Sequence, residues 1–299
     1  MQNEVIAKIL EKEQIQYETI TKSTSGFTND VYFVDEKFVI KVVAARTKNE
    51  KLEKEIQFYL NTDFDFVPKY VASGVCDGIT YLIISKLPGD SLYSIWHTLD
   101  VEKRKHIVLQ ICKILNKFHI DMYKFLPTKY VYSDWAKKWN DSFIKNISIM
   151  KEKGFDVDFL EEFRQTRLPK IMESQDPCLV YNDAHFDNFL LDGDKVYLID
   201  FDRVLYGSVD YELLIIKSML DAPHKFASEV DEPNVVPEHY VGIWEILMDN
   251  CPQMFKFEYI KERVFIYQFV YNLGNAYEWN HDDWVANELD KFKNFFDIK

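Results

Sequence analysis

Glycine is in short supply in this sequence: nine of 299 residues, about 3% where ~7% is usual. Each glycine is therefore more apt to mark a backbone position that needs one. Cysteine is sparse too. The four present, Cys76, Cys112, Cys178 and Cys251, form no C-x-x-C pair, which argues against a zinc site and for buried free thiols in a reducing cytoplasm. No apolar run approaches the ~18 residues of a membrane span. The first residues, Met1-Gln2-Asn3-Glu4, lack the basic-then-apolar layout of a secretory leader. Positive charge is in deficit: 36 Lys plus Arg against 49 Asp plus Glu leave a net −13 with no concentrated basic tail. Neither nucleic acid nor an anionic membrane surface is expected as a partner, and a cationic one suits better. Repeats and low-complexity tracts are also absent.

What is there is apolar and aromatic. Hydrophobic residues make up 47% and aromatic ones 16%, enough for a sizeable core, which excludes intrinsic disorder. The length suits one large domain or two modest ones. Periodicity predicts a helix over 3–15, then short strands over 28–34 and 37–43 joined by a tight turn at Asp35-Glu36. A helix over 47–61 follows, and strands over 69–75 and 79–85 meet at Cys76-Asp77-Gly78. Leu87-Pro88-Gly89-Asp90 breaks the pattern, giving a boundary between residues 1–86 and 87–299. Beyond it the chain reads as helices over 100–119, 133–150, 157–173, 209–220, 237–249, 257–278 and 282–295, interrupted by a β island over 178–199. The expected class is α+β: a small antiparallel-sheet lobe, a large mainly helical lobe, and a cleft between them.

The β island carries the chemistry. Asp183 and Asn188 form Asp-x-x-x-x-Asn, and Asp200 ends an apolar strand twelve residues later. Phosphoryl transfer needs a carboxylate to orient the attacking hydroxyl and two oxygen ligands for the magnesium that bridges the nucleotide phosphates. These three residues supply that set. Earlier, Val39-Ile40-Lys41-Val42 sets a lysine among apolar strand neighbours, where it needs a partner. Glu55 is the candidate, because Ile56, Tyr59 and Leu60 put the apolar face of its helix beside it. Ser25, Gly26 and Thr28 sit in a turn of small residues able to lay backbone N–H groups over phosphates.

Taken in order, these elements resemble the aminoglycoside phosphotransferase and choline kinase superfamily. They are Ser25-Gly26-Phe27-Thr28-Asn29-Asp30-Val31-Tyr32, Val39-Ile40-Lys41-Val42, Glu55, Leu115-Asn116-Lys117-Phe118-His119, Tyr181-Asn182-Asp183 through Asn188, and Ile199-Asp200-Phe201-Asp202. The resemblance runs from about residue 20 to about 220 and implies a two-lobed, protein-kinase-like fold. It implies Asp183 as catalytic base, Asn188 and Asp200 as Mg2+ ligands, and Lys41 with Glu55 as the pair that positions the phosphates of ATP or GTP. It also implies a hinge over Ile84 to Leu87, with Ser85 and Leu87 meeting the nucleotide. His119 reads as structural. Tyr181 stands where the family has a histidine, a departure that bears on the bracing of the loop. Asp210 and Glu212 fall at the family's following acidic positions.

No Lys or Arg occurs between Phe226 and Phe255, whereas six acids do. Glu278, Asp282 and Trp279 add acidic and aromatic character near the end. The expected acceptor is a small hydroxyl-bearing molecule, cationic in keeping with this charge, with Asp210, Glu212, Glu278, Asp282 and Trp279 as candidate contacts. A choline- or ethanolamine-type kinase and a non-catalytic nucleotide-binding regulator are the alternatives. His-Arg-Asp, Asp-Phe-Gly and Ala-Pro-Glu are all missing, which disfavours a protein kinase.

Overall fold

The computed structural model describes residues 2–23, 29–43, 49–120, 123–279 and 281–298. The chain opens with helix α1 (Gln2–Lys12) and strands β1 (Ile20–Lys22), β2 (Asn29–Val34) and β3 (Phe38–Val43). Helix α2 (Asn49–Asn61) and strands β4 (Tyr70–Cys76) and β5 (Ile79–Ser85) follow. The five strands form one antiparallel sheet in the order β1-β2-β3-β5-β4. The β2–β3 turn forms at Asp35-Glu36, both with left-handed φ (48° and 55°), the twist that a two-residue hairpin loop prefers.

The period of two along a strand sorts this sheet's side chains. Ile40 and Val42 join Tyr32, Val34, Tyr81 and Ile83 against Ile6, Ile9 and Leu10 of α1. Leu82 and Ile84 pack on the other face with Leu52, Ile56 and Tyr59 of α2. Strand β5 is covered on both sides, so it reads as an unbroken apolar run. Lys41 lies between Ile40 and Val42 and therefore faces α2.

The rest of the chain is mainly helical: α3 (Leu92–Ile95), α4 (Val101–Phe118), α5 (Trp135–Glu152), α6 (Asp158–Thr166), α7 (Leu168–Ile171), α8 (Leu213–Asp221), α9 (Ile243–Asn250), α10 (Ile260–Glu278) and α11 (Asp282–Phe295). Between them run the short strands β6 (Asp90–Ser91), β7 (Cys178–Val180), β8 (Phe189–Asp192), β9 (Lys195–Leu198) and β10 (Leu205–Gly207). Two lobes thus stand as expected. Three details differ. The helix read over 157–173 is two helices that meet at Arg167, with Pro169 early in the second. The β island does not form one sheet: β7 pairs with β10, a strand too short to be read from periodicity, and β8–β9 pairs with β6. The stretch over 237–249 is helical only from Ile243, after a turn of 3-10 helix at Pro237–Tyr240.

Gly89 sits where the chain passes from the sheet to the helical lobe. Its φ is +95°, and a Cβ there would lie 2.3 Å from the carbonyl oxygen of Leu191. Only glycine lets β6 pair with β8 at that distance.

Candidate active site

Lys41 Nζ donates to Glu55 Oε1 at 2.7 Å. Leu52, Glu55, Ile56 and Tyr59 share one stripe of α2 by helical spacing, so the face that buries the apolar residues delivers the carboxylate to the sheet. The same Oε1 accepts the backbone N–H of Phe201 at 3.2 Å. Phe201 itself is buried, stacked 4.3 Å from Phe58. Lys41 Nζ also donates to Asp200 Oδ1 at 3.1 Å. Burial works against the Lys41 charge, but Asp200 and Glu55 outweigh it and hold the ammonium above the usual lysine range. Burial likewise works against ionising Asp200, and Lys41 overcomes it, leaving that carboxyl below its ordinary range.

Asp183 and Asn188 lie on the loop between β7 and β8, and Asp200 lies just past β9. Asn188 Nδ2 faces three acceptors: the Asp183 carbonyl at 2.9 Å, Asp183 Oδ2 at 3.1 Å and His185 Nε2 at 3.0 Å. Its amide is therefore turned so that Oδ1 is left for other partners. With Asp200 Oδ1 on Lys41, Asn188 Oδ1 and Asp200 Oδ2 are the two hard oxygen donors that these residues can offer. Among the described residues no group of three or more His, Cys, Asp or Glu could hold a metal alone. The pair fits magnesium, which commonly shares one or two protein oxygens with substrate phosphates.

Burial pushes Asp183 up to about 7, with the Arg203 guanidinium pulling the other way and Asp200 and Asp202 adding to the rise. Arg203 Nε lies 3.6 Å from Asp183 Oδ1. A carboxylate poised near neutrality and still partly accessible suits proton transfer from a hydroxyl. Asn182 and Asp200 both adopt left-handed φ, 58° and 61°, conformations that gather at functional loops.

Tyr181 is a brace in its own right. Its hydroxyl donates to the carbonyl of Ile199 at 2.5 Å, linking the loop of Asp183 to the segment that presents Asp200. Glu212 is the second brace. It has no exposure and accepts the backbone N–H groups of Tyr181 (2.9 Å) and Asn182 (3.1 Å), with His119 Nε2 at 3.3 Å. These N–H groups lie beyond the end of β7 and need such an acceptor.

The expectation that Asp210 and Glu212 meet an acceptor is therefore corrected, because both side chains are fully buried. Asp210 takes a two-pronged ion pair from Arg263, Nε at 2.6 Å and Nη2 at 3.0 Å, and hydrogen bonds from Tyr267 (2.8 Å) and Ser208. Asp282 is exposed and pairs with Lys153 at 2.6 Å, past the far end of α5 and about 27 Å from its start. Glu278 and Trp279 are exposed at the end of α10, about 10 Å along the axis from Tyr271, whose ring packs against Arg203. At Ser85 the N–H donates to the Lys69 carbonyl at 2.8 Å and the hydroxyl oxygen accepts from Lys69 N–H at 2.9 Å, so what it could offer a nucleotide is its hydroxyl proton and its carbonyl. Leu87 has no such backbone partner among the described residues. Ser25, Gly26 and Thr28 lie outside the described residues. Sequence reasoning passed over Arg203; its one signal was a lone arginine directly after Ile199-Asp200-Phe201-Asp202.

A family model described as "Phosphotransferase enzyme family" matches residues 19–232 of the chain. No match to a curated protein sequence is found. Among solved structures, the chain is similar to the ADP-bound aminoglycoside phosphotransferase APH(2'')-Ib, with a TM-score of 0.69 and 17% identity over 97% of this chain and 96% of that one. It is similar to APH(2'')-IIa in complex with gentamicin, with a TM-score of 0.67 and 18% identity over 95% and 94%. It is also similar to the macrolide 2'-phosphotransferase MphH of Brachybacterium faecium, with a TM-score of 0.63 and 10% identity over 95% and 96%.

Proposed function

The chain belongs to the phosphotransferase enzyme family, and from that premise we propose that it moves the γ-phosphoryl group of ATP or GTP to a hydroxyl of a small molecule. The nucleotide lies between an N-terminal lobe (1–86) and a C-terminal lobe (87–299), with its base against the Leu87 backbone and its phosphates beneath Ser25, Gly26 and Thr28. Lys41, held by Glu55, neutralises phosphate charge, and Asp183 orients the acceptor hydroxyl and takes its proton. Bound through Asn188 and Asp200, magnesium would neutralise charge on the β- and γ-phosphates.

One observation carries this reading. Residues from four separate segments converge so that Lys41 touches both Glu55 and Asp200, while Asp183 sits half-buried beside Asn188 with its carboxyl near neutrality. Such a set is costly to assemble, because Glu55 and Asp200 share a single lysine and burial raises Asp183 despite Arg203, and costly sets of this kind gather at functional sites. A cationic acceptor of the aminoglycoside type is favoured by the net charge of −13 and by gentamicin in a similar structure. Four thiols outside any disulfide suit a reducing compartment such as the cytoplasm. The test is transfer of labelled γ-phosphate from ATP and from GTP to aminoglycosides, choline, amino alcohols and sugars, run beside Asp183→Ala. Nucleotide binding without transfer to any acceptor would favour a regulator instead.

A further inference from the structure

Lys138, in the first turns of α5, has no ion-pair partner among the described residues. Its ammonium lies over four aromatic rings instead: Trp139 at 4.1 Å from the centroid, Trp135 at 4.7 Å, Tyr211 at 5.0 Å and Tyr132 at 5.5 Å. Burial pushes this lysine down to about 7; the electron-rich ring faces favour its charged form.

The cage is a built feature. Trp135 is fixed by an indole N–H donated to the Tyr267 hydroxyl at 2.9 Å, and it lies so close to Gly207 that a Cβ there would come within 2.6 Å of the ring. Tyr211 meets both tryptophans edge-on, at 5.3 and 5.7 Å. Tyr211 also borders Arg203 and Asn182, and Arg203 reaches Asp183. The cage is thus separated from the proposed base by one ring and one guanidinium. Lys138, Tyr211, Arg203 and Tyr132 are all half-buried, so each keeps part of its surface in contact with solvent, as Asp183 does. Lys41 and Asp200 occupy the nucleotide side.

We propose that Lys138 is a specificity-determining residue of the acceptor cleft: its caged ammonium keeps cationic groups of the acceptor out of the position beside Tyr211. The inference rests on the phosphotransferase reading for what the cleft is for, not for the charge exclusion itself. An acceptor with several amines is drawn in by the acidic molecule as a whole. It then turns a neutral, hydroxyl-bearing face toward the cage, because a like charge there is repelled at short range with little water to screen it. If the lysine charge is removed, the four rings are left as a site for a cation.

The experiment uses the full chain and its Lys138→Ala and Lys138→Arg variants, titrated calorimetrically with tetramethylammonium at pH 6, below the lowered range of the lysine, where the parent carries its charge. Alanine withdraws the side chain from among the rings, so the cage is vacated rather than refilled. At least tenfold tighter binding to Lys138→Ala than to the parent, with Lys138→Arg like the parent, is the expected result. Equal affinity across all three, measurable or not, would overturn the proposal. In turnover at the same pH, the kcat/KM ratio for kanamycin over a neutral polyol such as inositol should rise at least tenfold in Lys138→Ala. If the parent turns over neither acceptor, the phosphotransferase reading is at fault, and the calorimetry still decides the role of Lys138.

Discussion

Lys41 Nζ lies 3.1 Å from Asp200 Oδ1 although 159 residues separate them along the chain. The contact spans the two lobes and sets the lysine proposed to meet the phosphates beside the proposed metal ligand. Lys41→Met should therefore weaken nucleotide binding tenfold or more. It should also destabilise the fold by about 3 kcal/mol, because Glu55 would keep a buried charge without its partner. Nucleotide titration and urea unfolding measure the two effects, and unchanged values in both would remove Lys41 from this role.

Asp183 gives the expected pH dependence. Its carboxyl, raised to about 7, is protonated below that pH and is then too weak a base to take the hydroxyl proton. The kcat/KM for the acceptor should thus climb as pH rises through about 7 and level off above it. Asp183→Asn should cost ~10²–10⁴-fold in kcat and abolish the rise. A pH profile in that variant identical to the parent's would show that another group titrates.

Glu212 is expected to act on the loop rather than on any acceptor. Glu212→Ala strands the N–H groups of Tyr181 and Asn182, at roughly 1–3 kcal/mol each, and loosens the loop that carries Asp183. Urea unfolding should shift to lower denaturant and kcat should fall, while KM for the acceptor changes little. A variant with parental stability and a raised acceptor KM would return Glu212 to the cleft.

Gly89→Ala tests the junction between the lobes. The left-handed backbone costs a side chain ~1–2 kcal/mol, and the clash with the Leu191 carbonyl adds to it. A total loss of at least 2 kcal/mol in chemical unfolding is expected; a neutral substitution would mean that β6 and β8 separate easily.

Much of this site was legible because its parts are local. Apolar neighbours in β3 marked Lys41 as needing a partner, Ile56 and Tyr59 marked the face of α2 beside Glu55 although Leu60, read with them, is exposed, and Asp-x-x-x-x-Asn is a single loop. The structure brings those side chains together. Asp210 and Glu212 were misread because the burial of an acid depends on donors far along the chain: Arg263 for one, the backbone of Tyr181 and Asn182 for the other. The brace from Tyr181 was invisible for the same reason: a phenol in place of the family's imidazole spans a distance that only the packing defines.

A single oxygen of Glu55 grips both the Lys41 ammonium and the amide of Phe201. Were α2 to swing outward, the lysine would lose its anchor and the Asp200 segment its tether in one movement. The position of that one helix therefore couples the two halves of the proposed site, which stand or fall together.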